Sequence, residues 1–275
     1  MTRKGRAGSK VEPGGRYFTP REVARACVRA LDLPRGPGVV IADTSAGGGA
    51  WLDALTEQDL RAAHDARDLV ANHRRTLIAL DIDPAAPALA PTAGNWRKAP
   101  HDWTGPTLPT CWPTAPKIDA IVGNPPYSIT ETVLGPDGEP VRYGPRHKRA
   151  GEIRTRTIEV ATGHVLRDLE RAHVVGLVLR TSYLEGERWE RHPELWSRLH
   201  VVHLLEPRVS FDGEGSDGAG YSLFEWRATP RATDEPVIRR LRWREAGNGK
   251  PNKQRRSARG SEAAATAVDQ GAAPA

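Results

Sequence analysis

Cysteine and long apolar runs are both scarce in this chain, and each scarcity excludes something. Only 2 cysteines occur among 275 residues, Cys27 and Cys111. Two thiols build neither a disulfide framework nor a cysteine-rich zinc site. No run approaches the roughly eighteen apolar residues of a membrane-spanning helix. The N-terminal charges are not followed by the apolar stretch of a secretory leader. A cytoplasmic protein is the expectation. His147, His164, His173 and the other histidines lack metal-ligand spacing, so no metal is expected. Neither an internal repeat nor a second globular domain is visible.

What is present suits a single α/β domain with decorated ends. Hydrophobic residues make up 38% and charged residues 27%, enough for a core. The net charge of +6 favours a polyanionic partner. That charge is clustered. Residues 1–16 hold Arg3, Lys4, Arg6, Lys10 and Arg16 against Glu12, a basic flexible arm. Arg142, Arg146, Lys148, Arg149, Arg154 and Arg156 face only Glu152 in a second basic stretch. Residues 245–275, rich in Gly, Ala and basic side chains without periodicity, are expected to be a disordered tail. The globular domain is then 17–244.

Apolar runs at Val39–Ala42, Thr76–Leu80, Ile118–Val122, Val174–Leu179, Leu199–Leu205 and Tyr221–Trp226 read as buried strands. Helical spacing runs from Trp51 to about Leu69 and from Ile153 to Leu169, with a short helix at Pro84–Leu89. Such alternation predicts a mostly parallel sheet covered on both faces. Ligands then bind at the carboxyl ends of its strands.

The informative clusters each follow a strand. Asp43-Thr44-Ser45-Ala46-Gly47-Gly48-Gly49 opens a helix, and its glycines let a ligand approach the backbone. It contains neither the Gly-Lys-Ser/Thr of a phosphate loop nor a GxGxxG fingerprint. Asp81 ends the next strand, where a carboxylate suits ribose hydroxyls, and Asp83 suits a turn before Pro84. Asn95 and Trp96, taken to follow the third strand, pair an amide with an indole suited to an adenine edge and face. The sharpest signal is Asn124-Pro125-Pro126-Tyr127. Two prolines remove two N–H donors and hold carbonyls outward beside the Asn124 amide. Tyr127 adds a flat face. The set matches an amino group needing two acceptors and a stacking surface.

On these motifs the chain resembles the class I methyltransferases that use S-adenosyl-L-methionine, specifically the N6-adenine DNA methyltransferases. The likeness covers about residues 16–227. It runs in order through Tyr17-Phe18-Thr19-Pro20, Asp43 to Trp51, Ile78 to Pro84, Gly94-Asn95-Trp96 and Asn124 to Tyr127. That is the gamma-like order, cofactor motifs first. Thr44 and Trp51 stand where the family has proline and phenylalanine. The resemblance implies a Rossmann-like, mostly parallel seven-stranded sheet with an antiparallel strand near the C-terminus. It also implies that Tyr17, Thr19, Pro20, Asp43, Ser45, Ala46, Gly47, Gly49, Asp81, Asn95, Trp96 and Asn124 hold the cofactor. Asn95 would replace the family's usual Asp at the adenine N6 position and weaken binding. Val175 to Glu185 is similar to the family's later strand and loop. Arg208, Phe211 and Tyr221 to Trp226 resemble the closing hairpin of short phage-type members.

The implied reaction moves a methyl group onto N6 of an adenine flipped from double-stranded DNA. The catalytic residues would be Asn124, Pro125, Pro126 and Tyr127. Residues 128–157 are then an insertion whose basic side chains run along the phosphate backbone. N4-cytosine, RNA-adenine and protein-glutamine methylation use a similar pocket, and a non-catalytic nucleic-acid binder keeps the fold. Carbon-5 cytosine chemistry is excluded, because neither cysteine sits in the catalytic loop.

Overall fold

A computed structural model describes residues 18–65, 75–90, 94, 96–114, 117–209, 211 and 219–244. The expected basic arm 1–16, the tail 245–275, Tyr17 and Asn95 lie outside the described residues. Among the described residues, ten strands and five helices form two sheets with helical cover.

Helix α1 (Arg21–Ala30) turns Val23, Ala24, Ala26, Cys27 and Val28 inward, at the 3–4 spacing of an amphipathic helix. Strand β1 (Val40–Asp43) leads through the glycine cluster into α2 (Ala50–Asp65). Then come β2 (Thr76–Asp81), a 3₁₀ turn at Pro87–Leu89, β3 (Arg97–Pro100) and β4 (Ile118–Gly123). Strands β5 (Ser128–Thr132) and β6 (Thr155–Glu159) make a separate antiparallel pair. Helix α3 (Ala161–Arg171) follows, then β7 (Ala172–Arg180). Two short helices, α4 (Arg188–Arg191) and α5 (Pro193–Arg198), precede β8 (Leu199–Glu206), β9 (Tyr221–Arg227) and β10 (Val237–Arg242).

The main sheet has 8 strands in the order β10-β8-β9-β7-β4-β1-β2-β3. Every pairing is parallel except those of β9 with β7 and β8. The mostly parallel sheet and its late reversed strand are as expected, but the strands number eight, not seven. The additional one, β10, is an exposed edge whose alternation is diluted by Arg239, Arg240 and Arg242. Helices α1 and α2 cover one face through Leu52, Leu55, Val28 and Leu31 on Ile41, Ala120 and Val122. Helices α3 and α5 cover the other through Val165, Leu169 and Leu195 on Ile121, Val175 and Phe224. No described helix is long and apolar enough to cross a membrane.

Two further sequence expectations change. The helix expected from Ile153 starts only at Ala161, because β-branched Thr155, Thr157 and Ile158 take an extended conformation and pair with Ser128–Thr132. Asn95 and Trp96 precede the third strand instead of following it. That strand is the polar edge segment Arg97–Pro100, and the residues after it are His101, Asp102 and Trp103.

At the sheet's amino edge, Arg75 is buried with Asp59. Its guanidinium meets both carboxylate oxygens at 2.6 and 3.2 Å and also donates to the Leu55 and Pro34 carbonyls and to Gln58. This fixes the end of α2 to the start of β2. Removing one partner strands a buried charge, so Asp59→Ala should cost about 3–5 kcal/mol in urea unfolding. A loss below about 1 kcal/mol would mean that the pair behaves as a solvated one.

Candidate active site

In sequence order β1, β2 and β3 step one way across the sheet and β4 and β7 the other. The reversal lies between β1 and β4, where such sheets leave a crevice beyond the carboxyl ends of their strands. A cavity of about 410 Å³ opens there. Its wall takes Phe18, then Thr44, Ser45 and Gly47 after β1, and Asp81, Ile82 and Asp83 after β2. Ala86 and Pro87, His101 to Thr104 after β3, Asn124 to Tyr127 after β4, and Val160 and His164 at the start of α3 complete it.

The glycine loop is held by backbone bonds to the neighbouring strand. Ala46 N–H donates to the Leu80 carbonyl at 2.8 Å, and Ala88 N–H donates to the Gly47 carbonyl at 2.9 Å. Gly47 N–H donates to Asp81 Oδ2 at 2.8 Å, while Asp83 N–H donates to Asp81 Oδ1 at 2.9 Å. Gly47 has φ +47° and Gly49 φ +80°, the left-handed region that glycine enters without strain. Asp81 thus fixes the loop and still has lone pairs facing the cavity.

Asp43 is fully buried below this loop. Its Oδ1 accepts the Ser45 N–H at 3.1 Å, while its Oδ2 and Ser45 Oγ have no hydrogen-bond partner among the described residues. Gly123 is required beside it, because a Cβ there would fall 2.8 Å from Asp43 Oδ1. Burial, opposed by the Ser45 hydrogen bond and aided by Asp81, pushes Asp43 up to about 8. Asp168, buried with Trp103 Nε1–H donating to its Oδ1 at 2.6 Å, is raised well above the carboxylate range by burial. Burial lowers His164 to about 4. Burial thus favours the neutral form of each of these three groups.

Asn124 is half-buried, and Tyr127 Oη donates to its Oδ1 at 2.5 Å. The Tyr127 ring lies 5.9 Å from that of Tyr221, with the Arg180 guanidinium 5.8 Å from the Tyr127 centroid. Val160 N–H donates to the Tyr127 carbonyl at 3.2 Å, closing the base of the β5–β6 arm.

The expected site residues distribute unevenly. Ser45, Gly47, Asp81 and Asn124 to Tyr127 meet at the cavity, and Thr19 and Ala46 line a small cleft adjoining it. Asp43 lies under the floor, and Pro20 begins α1. Trp96 is not on the wall: its indole N–H donates to the Ala88 carbonyl at 3.0 Å and its ring packs over Gly49. The residues that supply an acid and an aliphatic face there are Asp102 and Ile82. Ile82 is 72% exposed, and that exposure is the signal a sequence reading lacks. Asp102 follows a polar strand, which conceals it. The Thr104 hydroxyl, 2.6 Å from Asp102 Oδ1, holds that carboxyl below its usual range. Phe18 and His164 were also missed. Neither cysteine lines the cavity.

In the arm, the ladder continues past the stem, with Arg154 N–H donating to the Val141 carbonyl at 2.8 Å and Tyr143 N–H to the Glu152 carbonyl at 2.9 Å. Arg149 pairs with Glu152, Arg156 with Glu131, and Arg142 donates to the Gly151 carbonyl. Arg154 lies over Tyr143. Arg146 and Lys148, at the exposed tip, make no ion pair or hydrogen bond among the described residues.

The family model described as N-6 DNA Methylase matches residues 5–188. The M protein of the EcoKI type I restriction enzyme superposes with TM-score 0.54 and 20% identity, covering 86% of this chain and 50% of its own. The methyltransferase subunit of a type I restriction-modification system from Streptococcus thermophilus gives 0.51 and 15%, covering 84% and 52%. A candidate class I S-adenosylmethionine-dependent methyltransferase from Listeria monocytogenes gives 0.52 and 9%, covering 82% and 65%. At these identities the likeness is one of fold, and the chain spans about half the length of the two restriction-system subunits. A search of curated proteins finds no significant match.

The buried Asp43 generates a stability prediction. Its folded pKa is raised, so the folded chain binds the extra proton and loses stability as pH rises from about 4 to about 8. Asp43→Asn removes that titration. Its unfolding free energy should climb relative to the parent across this window, by up to about 1.4 kcal/mol per pH unit, and level off above it. A difference independent of pH would contradict the assignment.

Proposed function

Because the chain belongs to the N-6 DNA methylase family, we propose that it transfers a methyl group from S-adenosyl-L-methionine to the exocyclic N6 of an adenine flipped from double-stranded DNA. The observation that carries this reading is the meeting of Asn124–Tyr127 with the acidic and glycine-lined strand ends in one cavity.

The residues present fit the cofactor. Asp43 Oδ2 and Ser45 Oγ are buried polar atoms in want of partners, beside a bare Gly123 that leaves them room. Asp81 offers acceptors to ribose hydroxyls, Asp102 an ionised acceptor to a purine amino group, and Ile82 an aliphatic face to its ring. Phe18, Thr19 and Pro20 flank the opposite end. The bound cofactor supplies an electrophilic methyl group on a positively charged sulfur.

The chain's own part is to make a poor nucleophile attack. An exocyclic amino nitrogen shares its lone pair with the ring. Accepting both of its N–H groups, at Asn124 Oδ1 and the Pro125 carbonyl, favours a pyramidal nitrogen with a directed lone pair. These acceptors also stabilise the positive charge that builds on the nitrogen. Tyr127 carries the base on its ring and fixes its plane. Holding the reacting atoms about 3–3.5 Å apart is the larger contribution. Before a base enters, the Tyr127 hydroxyl takes one lone pair of the Asn124 oxygen, and the other is left to accept an N–H of the base. The arm from β5 to β6 is rooted beside Tyr127, and its exposed Arg146 and Lys148 suit a phosphate backbone running past the cavity.

The direct test is transfer of labelled methyl to duplex DNA, with digestion to nucleosides. N6-methyladenine is expected. Label found instead in RNA or protein would overturn the substrate. Asn124→Ala should lower transfer by about 10²-fold or more while leaving cofactor affinity nearly intact. Parent-like turnover in that variant would rule out the acceptor pair. Asp102→Ala should weaken cofactor binding by about 1.5–3 kcal/mol in calorimetry. An unchanged affinity would return that role to Asn95.

A further inference from the structure

Arg180 ends β7, which runs parallel to β4 with Leu177 opposite Gly123. That register sets Arg180 on the same sheet edge as Asn124–Tyr127, and its guanidinium lies 5.8 Å from the Tyr127 ring centroid. Its backbone is fixed on the other side by pairing with Tyr221, whose own ring flanks Tyr127.

What distinguishes this arginine is how little of it is used. The neighbouring Arg188 donates to the Tyr183 carbonyl and packs over that ring at 4.1 Å, and Arg231 donates to main-chain carbonyls of α5 and Leu199. Arg180 is exposed, and its side chain makes neither an ion pair nor a hydrogen bond among the described residues. A contact with an aromatic face is the sole engagement of its side chain among the described residues. A whole guanidinium fork is thus held at the rim of the cavity beside the ring proposed to carry the base.

We propose that Arg180 binds the backbone phosphate adjoining the flipped nucleotide. This rests on the reading of the cavity as a site for a nucleic-acid base. A nucleotide stacked on Tyr127 carries its phosphates on the sugar side, outside the cavity, where the exposed fork stands. The planar fork matches two phosphate oxygens at once. A charge-assisted bond to phosphate is stronger than an exposed contact with an aromatic face, so a phosphate draws the guanidinium off Tyr127. The ring is then released towards the base, and its hydroxyl can leave Asn124.

The test compares parent, Arg180→Gln, Arg180→Lys and, as a remote exposed control, Arg239→Gln. Duplex DNA binding is measured over a series of salt concentrations, with cofactor affinity alongside. Arg180→Gln should weaken duplex binding about tenfold and reduce the slope of log K against log salt by about 0.9, the value of one phosphate contact. Arg180→Lys should keep the slope and lose part of the affinity, since the charge remains and the fork does not. Arg239→Gln and cofactor affinity should be unchanged. An Arg180→Gln slope equal to that of the parent overturns the proposal, and a change in turnover alone would assign Arg180 to holding the Tyr127 ring. Binding is read independently of turnover, so a parent protein that methylates no DNA sinks the functional reading while the slopes still decide Arg180.

Discussion

One carboxylate ties the site together. Asp81 accepts the Gly47 N–H from the loop after β1 and the Asp83 N–H from its own strand end. It thereby joins the loops after β1 and β2, on one side of the crevice between β1 and β4. A loop of three glycines has high conformational freedom, and that bond restrains it together with the backbone bonds to Leu80 and Ala88. The same carboxylate faces the cavity, so the group that shapes the wall is also one a ligand would touch. Rigidity and recognition are supplied by one side chain.

The buried polar groups below have a related logic. Asp43, Asp168 and His164 are all driven to their neutral forms by burial. Neutral groups at these buried positions avoid the large cost of buried charge. Asp102 differs, because solvent and the Thr104 hydroxyl keep it ionised at the rim. Charge is placed where water can reach it, and polarity without charge where it cannot.

Much of this was legible in the sequence. Strands buried on both faces announce themselves as apolar runs, so β1, β2, β4, β7, β8 and β9 stand within a residue or two of where the periodicity puts them. Asn124–Tyr127 and the glycine loop were legible because prolines and glycines constrain the backbone itself. Edge strands were not. Arg97–Pro100 and Val237–Arg242 bury little, so no apolar signal marks them. That one omission left Asp102, just past the third strand, unread and put Trp96 in a cavity it does not line. Ile158 and Val160 imitated helical spacing because the arm is exposed, and exposed β-structure leaves no pattern of burial for a sequence reading to detect.

The bond between Val160 N–H and the Tyr127 carbonyl, 3.2 Å long, closes the base of the β5–β6 arm. Everything from Ser128 to Glu159 leaves the cavity wall and returns to it across that bond. The span between the two ends is therefore set by the stem, whatever lies at the tip. Residues can be gained, lost or recharged beyond the stem without moving Asn124, Tyr127 or His164. What the protein touches and what it does there are free to diverge separately over evolutionary time.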